Sequence, residues 1–415
     1  MVHEKILMSS NHYDVIVIGV GSMGAAACWY LARQNYKVLG LEQFDIPHEQ
    51  GSHAGQSRII RKAYFEHSDY VPLLERAYHN WKELEVKTSS RVYYKTGLIY
   101  FGGPDARLIK GTRESAEKYN IPLDILTHET ANIRYPMIHF PDHFQILFEP
   151  DAGFITPEKA IALYTSDAIQ LNADIRAREK VLNWKMENSF VTVTTNKKTY
   201  RADRLIICAG AWSGKLIPSL PARLKVTKQI VGWMKPKKWN DFSLGNFPCW
   251  FLVDDGGNMF YGFPILPAKD FGGPIGLKLA LHKAGLEVDP DHVDRSILQE
   301  DEEILRNVLR KYIPDAAGNT LTLKSCLYTN SEDENFIIDH MPGYDGKVTI
   351  ASGFSGHGFK FASVIGEILS DLAIKGETDL PIEFLRLKRF YEGETSNGKR
   401  QTVPPEAEAN VNRET

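Results

Sequence analysis

The chain has 415 residues, 49 lysines and arginines against 52 aspartates and glutamates, a formal net charge of −3, and 43% hydrophobic and 24% charged residues. That length calls for roughly two or three domains, and the composition is that of a globular enzyme. The near-neutral balance offers no basic field to attract a nucleic acid.

Residues 1–11 are polar and read as an N-terminal extension without a signal peptide. No run approaches roughly 18 apolar residues, so no membrane span is expected. The four cysteines, Cys28, Cys208, Cys249 and Cys326, include no Cys-x-x-Cys pair. That disfavours zinc and a disulfide framework, so no metal is expected and the compartment reads as cytoplasmic.

The first strong pattern is YDVIVIGVGSMG, from Tyr13 to Gly24. The apolar run Val15–Ile18 suits a buried parallel strand. It meets Gly19, Gly21, Ser22, Met23 and Gly24 in a G-x-G-x-x-G, followed by a helical pattern through Ala32. Gly19 permits the tight turn, Gly21 lets backbone approach a pyrophosphate, and Gly24 lets helix and strand pack closely. The free N–H groups of the helix start face the phosphates. A second strand, VLGLE, ends at Glu42 with Gln43 next. The Glu42 carboxylate suits a ribose diol and repels a 2′-phosphate. Together these predict a dinucleotide site, with Cys28 as packing.

Next comes GSHAGQSRIIRKAY, residues 51–64, read as too polar for a core element. It carries Arg58 and Arg61, three apart and on one face if helical. Two such guanidiniums suit a carboxylate or a flavin carbonyl edge. Alternating apolar stretches such as FPCWFLV and NMFYGF follow later, with Cys249 as packing. Before them, RADRLIICAGAWS (201–213) predicts a buried strand through Cys208 that exits by Ala209, Gly210 and Trp212. Such an exit favours FAD over NAD. Cys326 in LTLKSCLYTN reads, taken alone, as core filler at a strand end. Near the C-terminus, strand-like Phe336–Ile338 and Val348–Ile350 lead into the Gly-rich loop Ser352–Gly358 and a helix with an apolar face through Leu372. Lys360 near that helix start opposes the dipole preference, which points to an anionic ligand. Residues 392–415 lack apolar anchors and read as a disordered tail.

These segments resemble the monomeric sarcosine oxidase family, which includes N-methyltryptophan and pipecolate oxidases, within the D-amino-acid-oxidase-like flavoproteins. The matching stretches are DVIVIGVGSMG, GSHAGQSRIIRKAY, YGFP (261–264), GLKLALH (276–282), CLYTNSEDENFIID (326–339) and SGFSGHGFKFAS, in the family's order from about residue 12 to about 390. The resemblance implies an α/β fold: a discontinuous Rossmann-like FAD domain of glutathione-reductase type (12–90, 150–220, 320–390) interleaved with a mostly antiparallel substrate domain (91–149, 221–319).

It further implies that Cys326 carries FAD covalently and that Arg58 lies against the flavin. Arg61 and Lys360 would hold the substrate carboxylate, and Lys278 would activate oxygen. Tyr261, His282, Tyr328, Gly356 and His357 would wall the site. Ser52, Ile59, Gly353 and Gly358 would join the cofactor contacts. The implied reaction oxidises a secondary amino acid with oxygen as acceptor, releases hydrogen peroxide, and is carried out by a monomer. Two departures leave the substrate open: Lys62-Ala63-Tyr64-Phe65 after the arginine, and the extended PILPAKDFGGPI (264–275). The competing readings are an NAD-dependent dehydrogenase and a non-enzymatic flavin-binding redox sensor with Cys326 as a reactive thiol.

Overall fold

The computed structural model describes residues 12–217, 220, 223–282 and 285–391. The 1–11 extension and the 392–415 tail lie outside the described residues. The chain divides into two compact units: Met1–His53, Lys159–Val226 and Tyr328–Thr415 form one, Ala54–Glu158 and Thr227–Leu327 the other.

The first unit is built on the strand His12–Ile18, whose HYDVIVI run buries both faces in its second half. It lies parallel to Val38–Leu41 on one side and to Thr199–Ile207 on the other. The long strand Thr199–Ile207 has two partners along its far edge. Its first half pairs with Val191–Thr195, and Leu205–Ile207 pairs in parallel with Val348–Ile350. The helix Ser22–Arg33 is rich in alanine and almost wholly buried. The helix Ala362–Lys375 packs on it so closely that a Cβ on Gly366 would stand 2.4 Å from the Ala26 side chain. Small residues on both helices are what allow that approach. Parallel strands with a crossover helix at a glycine turn make this the expected Rossmann-like layer.

The second unit centres on an eight-stranded sheet. Its order is Thr320–Ser331, Leu224–Met234, Leu277–Leu281, Met259–Phe263, Cys249–Val253, Leu98–Gly102, Gln145–Glu149, Asp124–Leu126. From Leu224–Met234 onward the pairings are antiparallel except that of Cys249–Val253 with Leu98–Gly102, which is parallel. Two of its central strands, CWFLV and LIYFG, are buried on both faces. A core of Phe101, Phe140, Trp250, Leu277, Leu309 and their neighbours lies against one face. A small sheet, Arg58–Ile60 with Gly153–Ile155 and Tyr93–Lys95, completes the unit. The α/β class with an interleaved antiparallel sheet is therefore as expected.

Two local expectations are corrected. Arg58 and Arg61 are not on a helix: Arg58–Ile60 is a strand, as the β-branched Ile59-Ile60 pair favours. Nor is 51–64 too polar for the interior, because Ser57, Ile60, Arg61, Ala63 and Tyr64 are all buried. By compactness the stretch Ala54–Glu158 falls in the second unit.

Candidate active site

The nucleotide turn is shaped by what cannot be there. A Cβ on Gly19, which has φ +90°, would lie 2.5 Å from the Cys208 carbonyl oxygen, and one on Gly24 would lie 1.9 Å from the Gly19 carbonyl oxygen. Gly21 differs: its nearest neighbour would be His53 Nδ1 at 3.9 Å, so the chain leaves room beside it. Gly21 caps the helix Ser22–Arg33 without a side-chain hydrogen bond. Free helix N–H groups beside an open glycine are what a pyrophosphate uses. Glu42 is buried, and its carboxylate accepts from the backbone N–H of Val20 (3.1 Å) and Phe44 (3.0 Å). Burial pushes its pKa up, while those N–H groups oppose the rise. The residues present therefore fit a dinucleotide. In the same unit the strand through Ile207 leaves by Ala209 and a short turn Gly210–Trp212. Gly210, at φ +53°, would meet nothing within 4 Å, so space remains there as well. Trp212 packs edge-on against Phe44, 5.3 Å between ring centres. Gln43 is half-buried and Ser52 exposed.

The Gly-rich loop of this unit is laced to the end of the strand Thr320–Ser331. Ser355 N–H donates to Thr329 O (2.9 Å), and Ser331 N–H donates to Ser355 Oγ (3.1 Å). Gly353 and Gly356 adopt φ +64° and +78°. A Cβ on Gly356 would strike the Tyr328 ring at 2.2 Å, and one on Gly358 would strike the Phe354 side chain at 2.6 Å. The loop can hold this shape only with glycine at those positions. His357 stacks at a tilt on Phe336 (4.7 Å), and its Nε2 lies 3.0 Å from Glu334 O. Lys360 is buried, and its Nζ donates to His357 O at 2.6 Å.

In the second unit, Lys278 is buried in the strand Leu277–Leu281. Its Nζ donates to Gly55 O (2.5 Å), Ser57 O (2.7 Å) and Ser57 Oγ (3.1 Å). It also sits 4.4 Å from the Phe263 ring centre. Burial drives its pKa well below the ordinary 10.5, and the Arg58 charge adds to the fall, while Glu158 opposes it. Arg58 is tied to the same turn, donating from Nη1 to Ser57 O (2.9 Å) and from Nη2 to Ala54 O (2.7 Å). Cys326 is buried as well. Desolvation raises its pKa, and Arg58, Lys278 and Arg295 pull it back.

Arg61 sits apart from that cluster. Its Nη2 donates to both Glu66 carboxylate oxygens at 2.6 Å, and its Nη1 donates to Ala63 O at 2.9 Å. The guanidinium lies over the rings of Tyr64, Phe65 and Phe251. Burial would lower its pKa, but Glu66, Tyr100 and Tyr64 more than reverse this. Its Nε is buried and has no hydrogen-bond partner among the described residues. Tyr261 and His282 are neighbours, 6.2 Å between ring centres, and both face Phe251. Ile59 is buried in the adjacent core.

Sequence reasoning missed the carboxylates that hold these cations. Glu66 binds Arg61 directly. Glu149, fully buried, accepts from Lys62 N–H (2.6 Å) and Tyr100 Oη (2.6 Å) and so fixes the backbone beside Arg61. Glu158 accepts from Gly55 N–H (2.6 Å) and Gln56 N–H (3.1 Å). In the sequence each is one acid in an unremarked stretch. Their partners give them away: a buried guanidinium for Glu66, and backbone N–H groups for Glu149 and Glu158.

The fold and these sites define a dinucleotide-dependent oxidoreductase. The chain belongs to the FAD dependent oxidoreductase (DAO) family, which it matches over residues 14–372. It is 39% identical over 385 residues to a monomeric sarcosine oxidase of Bacillus sp. (strain B-0618), covering 92% of this chain and 97% of that one. It is 33% identical over 381 residues to N-methyl-L-tryptophan oxidase of Salmonella dublin, covering 91% and 99%. Its fold is shared with NikD, an unusual amino acid oxidase essential for nikkomycin biosynthesis (TM-score 0.79, 23% identity, 91% and 97% covered). It is shared too with L-proline dehydrogenase from P. horikoshii (TM-score 0.78, 23% identity, 92% and 99% covered). Among the described residues no group of three or more His, Cys, Asp or Glu side chains could hold a metal ion, and no helix is long and apolar enough to cross a membrane.

Proposed function

We propose that this FAD-dependent oxidoreductase is an oxidase of secondary amino acids, N-methyl or cyclic, with molecular oxygen as acceptor and hydrogen peroxide as product. The observation that carries the reading is Lys278: a buried lysine held on the carbonyls of one turn, beside Arg58 and Cys326, in a chain related to sarcosine oxidases. Bound FAD supplies the two-electron acceptor.

Gly19, Gly21, Ser22, Met23, Gly24, Glu42 and Gln43 hold its nucleotide end, with Ser52, Ile59, Ala209, Gly210, Trp212 and the loop from Gly353 to Gly358 as further cofactor contacts. Arg61 and Lys360 bind the substrate carboxylate, which orients the reacting carbon. To do so the substrate must displace Glu66 from Arg61, or use its unpartnered Nε. Tyr261, His282, Tyr328, Gly356 and His357 shape the space for the amine. Cations around the substrate disfavour an ammonium and so favour the neutral amine, whose lone pair drives the oxidation. Lys278 presents positive charge where oxygen gains electrons, a charge that develops only during the step. Cys326 tethers the cofactor. The enzyme acts as a cytoplasmic monomer. Its described cysteines are all free and buried, in keeping with a reducing compartment.

A peroxide-release assay over sarcosine, N-methyl-L-tryptophan, L-pipecolate and L-proline tests the activity. Peroxide with at least one of them is expected, and none with any would overturn it. Acid precipitation tests the tether. The yellow colour stays with the pellet in the parent and is lost in Cys326→Ala. Colour in the supernatant of the parent overturns covalent attachment.

A further inference from the structure

Glu158 opens the helix Pro157–Gln170, where an acid is commonly no more than a partner for the helix dipole. Here its carboxylate leaves the helix. Oε1 accepts from the N–H groups of Gly55 and Gln56, two consecutive residues at φ +110° and +69°. Successive N–H groups in such a turn converge on an anion. The opposite side of the same turn is all acceptor. Gly55 O and Ser57 O take Lys278 Nζ, and Ala54 O and Ser57 O take Arg58. The turn is thus a layer of peptide dipoles with a carboxylate behind it and two cations in front. A Cβ on Gly55 would lie 3.7 Å from each of Lys278 Nζ, Arg58 Nη1 and the Trp233 ring. Gln56 fastens the turn further: Trp233 Nε1 donates to its Oε1 (2.9 Å), and its own amide donates to Gly272 O in the extended 264–275 segment.

We propose that Glu158 is the positioning residue for Lys278, orienting the 54–57 turn so that its carbonyls hold the lysine as a cation for the reaction with oxygen. Without the charged carboxylate, the two N–H groups have only a weaker acceptor, and the turn's carbonyls are held less firmly on the cations. The negative charge that offsets Arg58 at Lys278 goes with it. The inference rests on the oxidase reading, so its test is made independent of the amine. The holoenzyme is photoreduced without substrate and mixed with oxygenated buffer, and the return of colour is timed.

Glu158→Gln is expected to slow that return about tenfold, within the usual coupling of groups in one network. Glu158→Asp, which keeps the charge, recovers most of the rate. In a Lys278→Met background Glu158→Gln changes the rate less than about twofold, because its effect runs through the lysine. An unchanged rate in Glu158→Gln, or equal slowing in both backgrounds, overturns the proposal. So does loss of flavin from Glu158→Gln while Lys278→Met retains it, since the residue would then act on cofactor retention. If Lys278→Met alone leaves the rate unchanged, the oxidase reading's role for Lys278 fails instead, and that result is distinct.

Discussion

At the residue scale, the second unit solves one problem repeatedly: keeping a cation dry. Lys278 and Arg61 are each buried and each held by fixed acceptors, Arg61 through its two Nη atoms, since an unpaired buried charge would cost several kcal/mol. The solutions differ. Lys278 has neutral carbonyls and a depressed pKa, whereas Arg61 has a carboxylate and a raised one.

That difference sets a pH dependence. The cation at Lys278 is lost as pH rises through a pKa below 10.5, with burial and then the Arg58 charge pressing it down and Glu158 opposing. Reaction of the reduced enzyme with oxygen should therefore slow with rising pH, with a midpoint below 10.5. A rate that holds to higher pH, or increases, contradicts the assignment. In stopped flow, Lys278→Met should slow reoxidation by about a hundredfold or more while changing reduction by amine far less, the usual size for loss of a preorganised charge. Equal slowing of both halves would count against the role. At Arg61, removing the internal competitor in Glu66→Gln should lower the apparent KM for the amino acid severalfold; a raised KM would show that Glu66 assists binding.

At the element scale, glycines decide what can pack. The helices Ser22–Arg33 and Ala362–Lys375 approach through Gly366 and Ala26. Gly366→Ala should destabilise the chain by about 1–3 kcal/mol through overpacking, read as a lower Tm with flavin still bound. Gly356→Ala should push Tyr328 aside, 2.2 Å being far inside contact, and reduce activity without loss of colour. A fully active Gly356→Ala would remove Tyr328 from the site.

The same scale explains what was legible in the sequence. The strand, glycine turn and helix at 12–33 were legible because one local pattern encodes all three. The Gly-rich loop before Ala362–Lys375 was legible for the same reason. The stretch 51–64 is polar in sequence yet mostly buried in the fold. Its polar atoms are satisfied by Glu149, Glu158 and Lys278, residues 86 to 223 positions away. No local window contains those partners. Resemblance supplied Lys278 and Cys326, which periodicity alone would have left as members of buried strands.

At the scale of the whole molecule, each unit carries its own chemistry. The first has the nucleotide cradle, the Gly-rich loop and Lys360. The second has Lys278, Arg58, Arg61, Tyr261, His282 and Cys326. The division at residues 327 and 328 falls inside one strand, Thr320–Ser331, two positions of which are Cys326 and Tyr328. The extended 264–275 segment belongs to the second unit, where Phe271 packs on Tyr94 (4.8 Å between ring centres) and Gln56 holds Gly272.

Oxidase chemistry is read by adding sarcosine, N-methyl-L-tryptophan or L-pipecolate to the yellow protein without air, then admitting oxygen. At least one of them should bleach the flavin, and oxygen should restore the colour with one hydrogen peroxide released per flavin. A flavin that no secondary amino acid bleaches, or that bleaches but is not restored by oxygen, would contradict it.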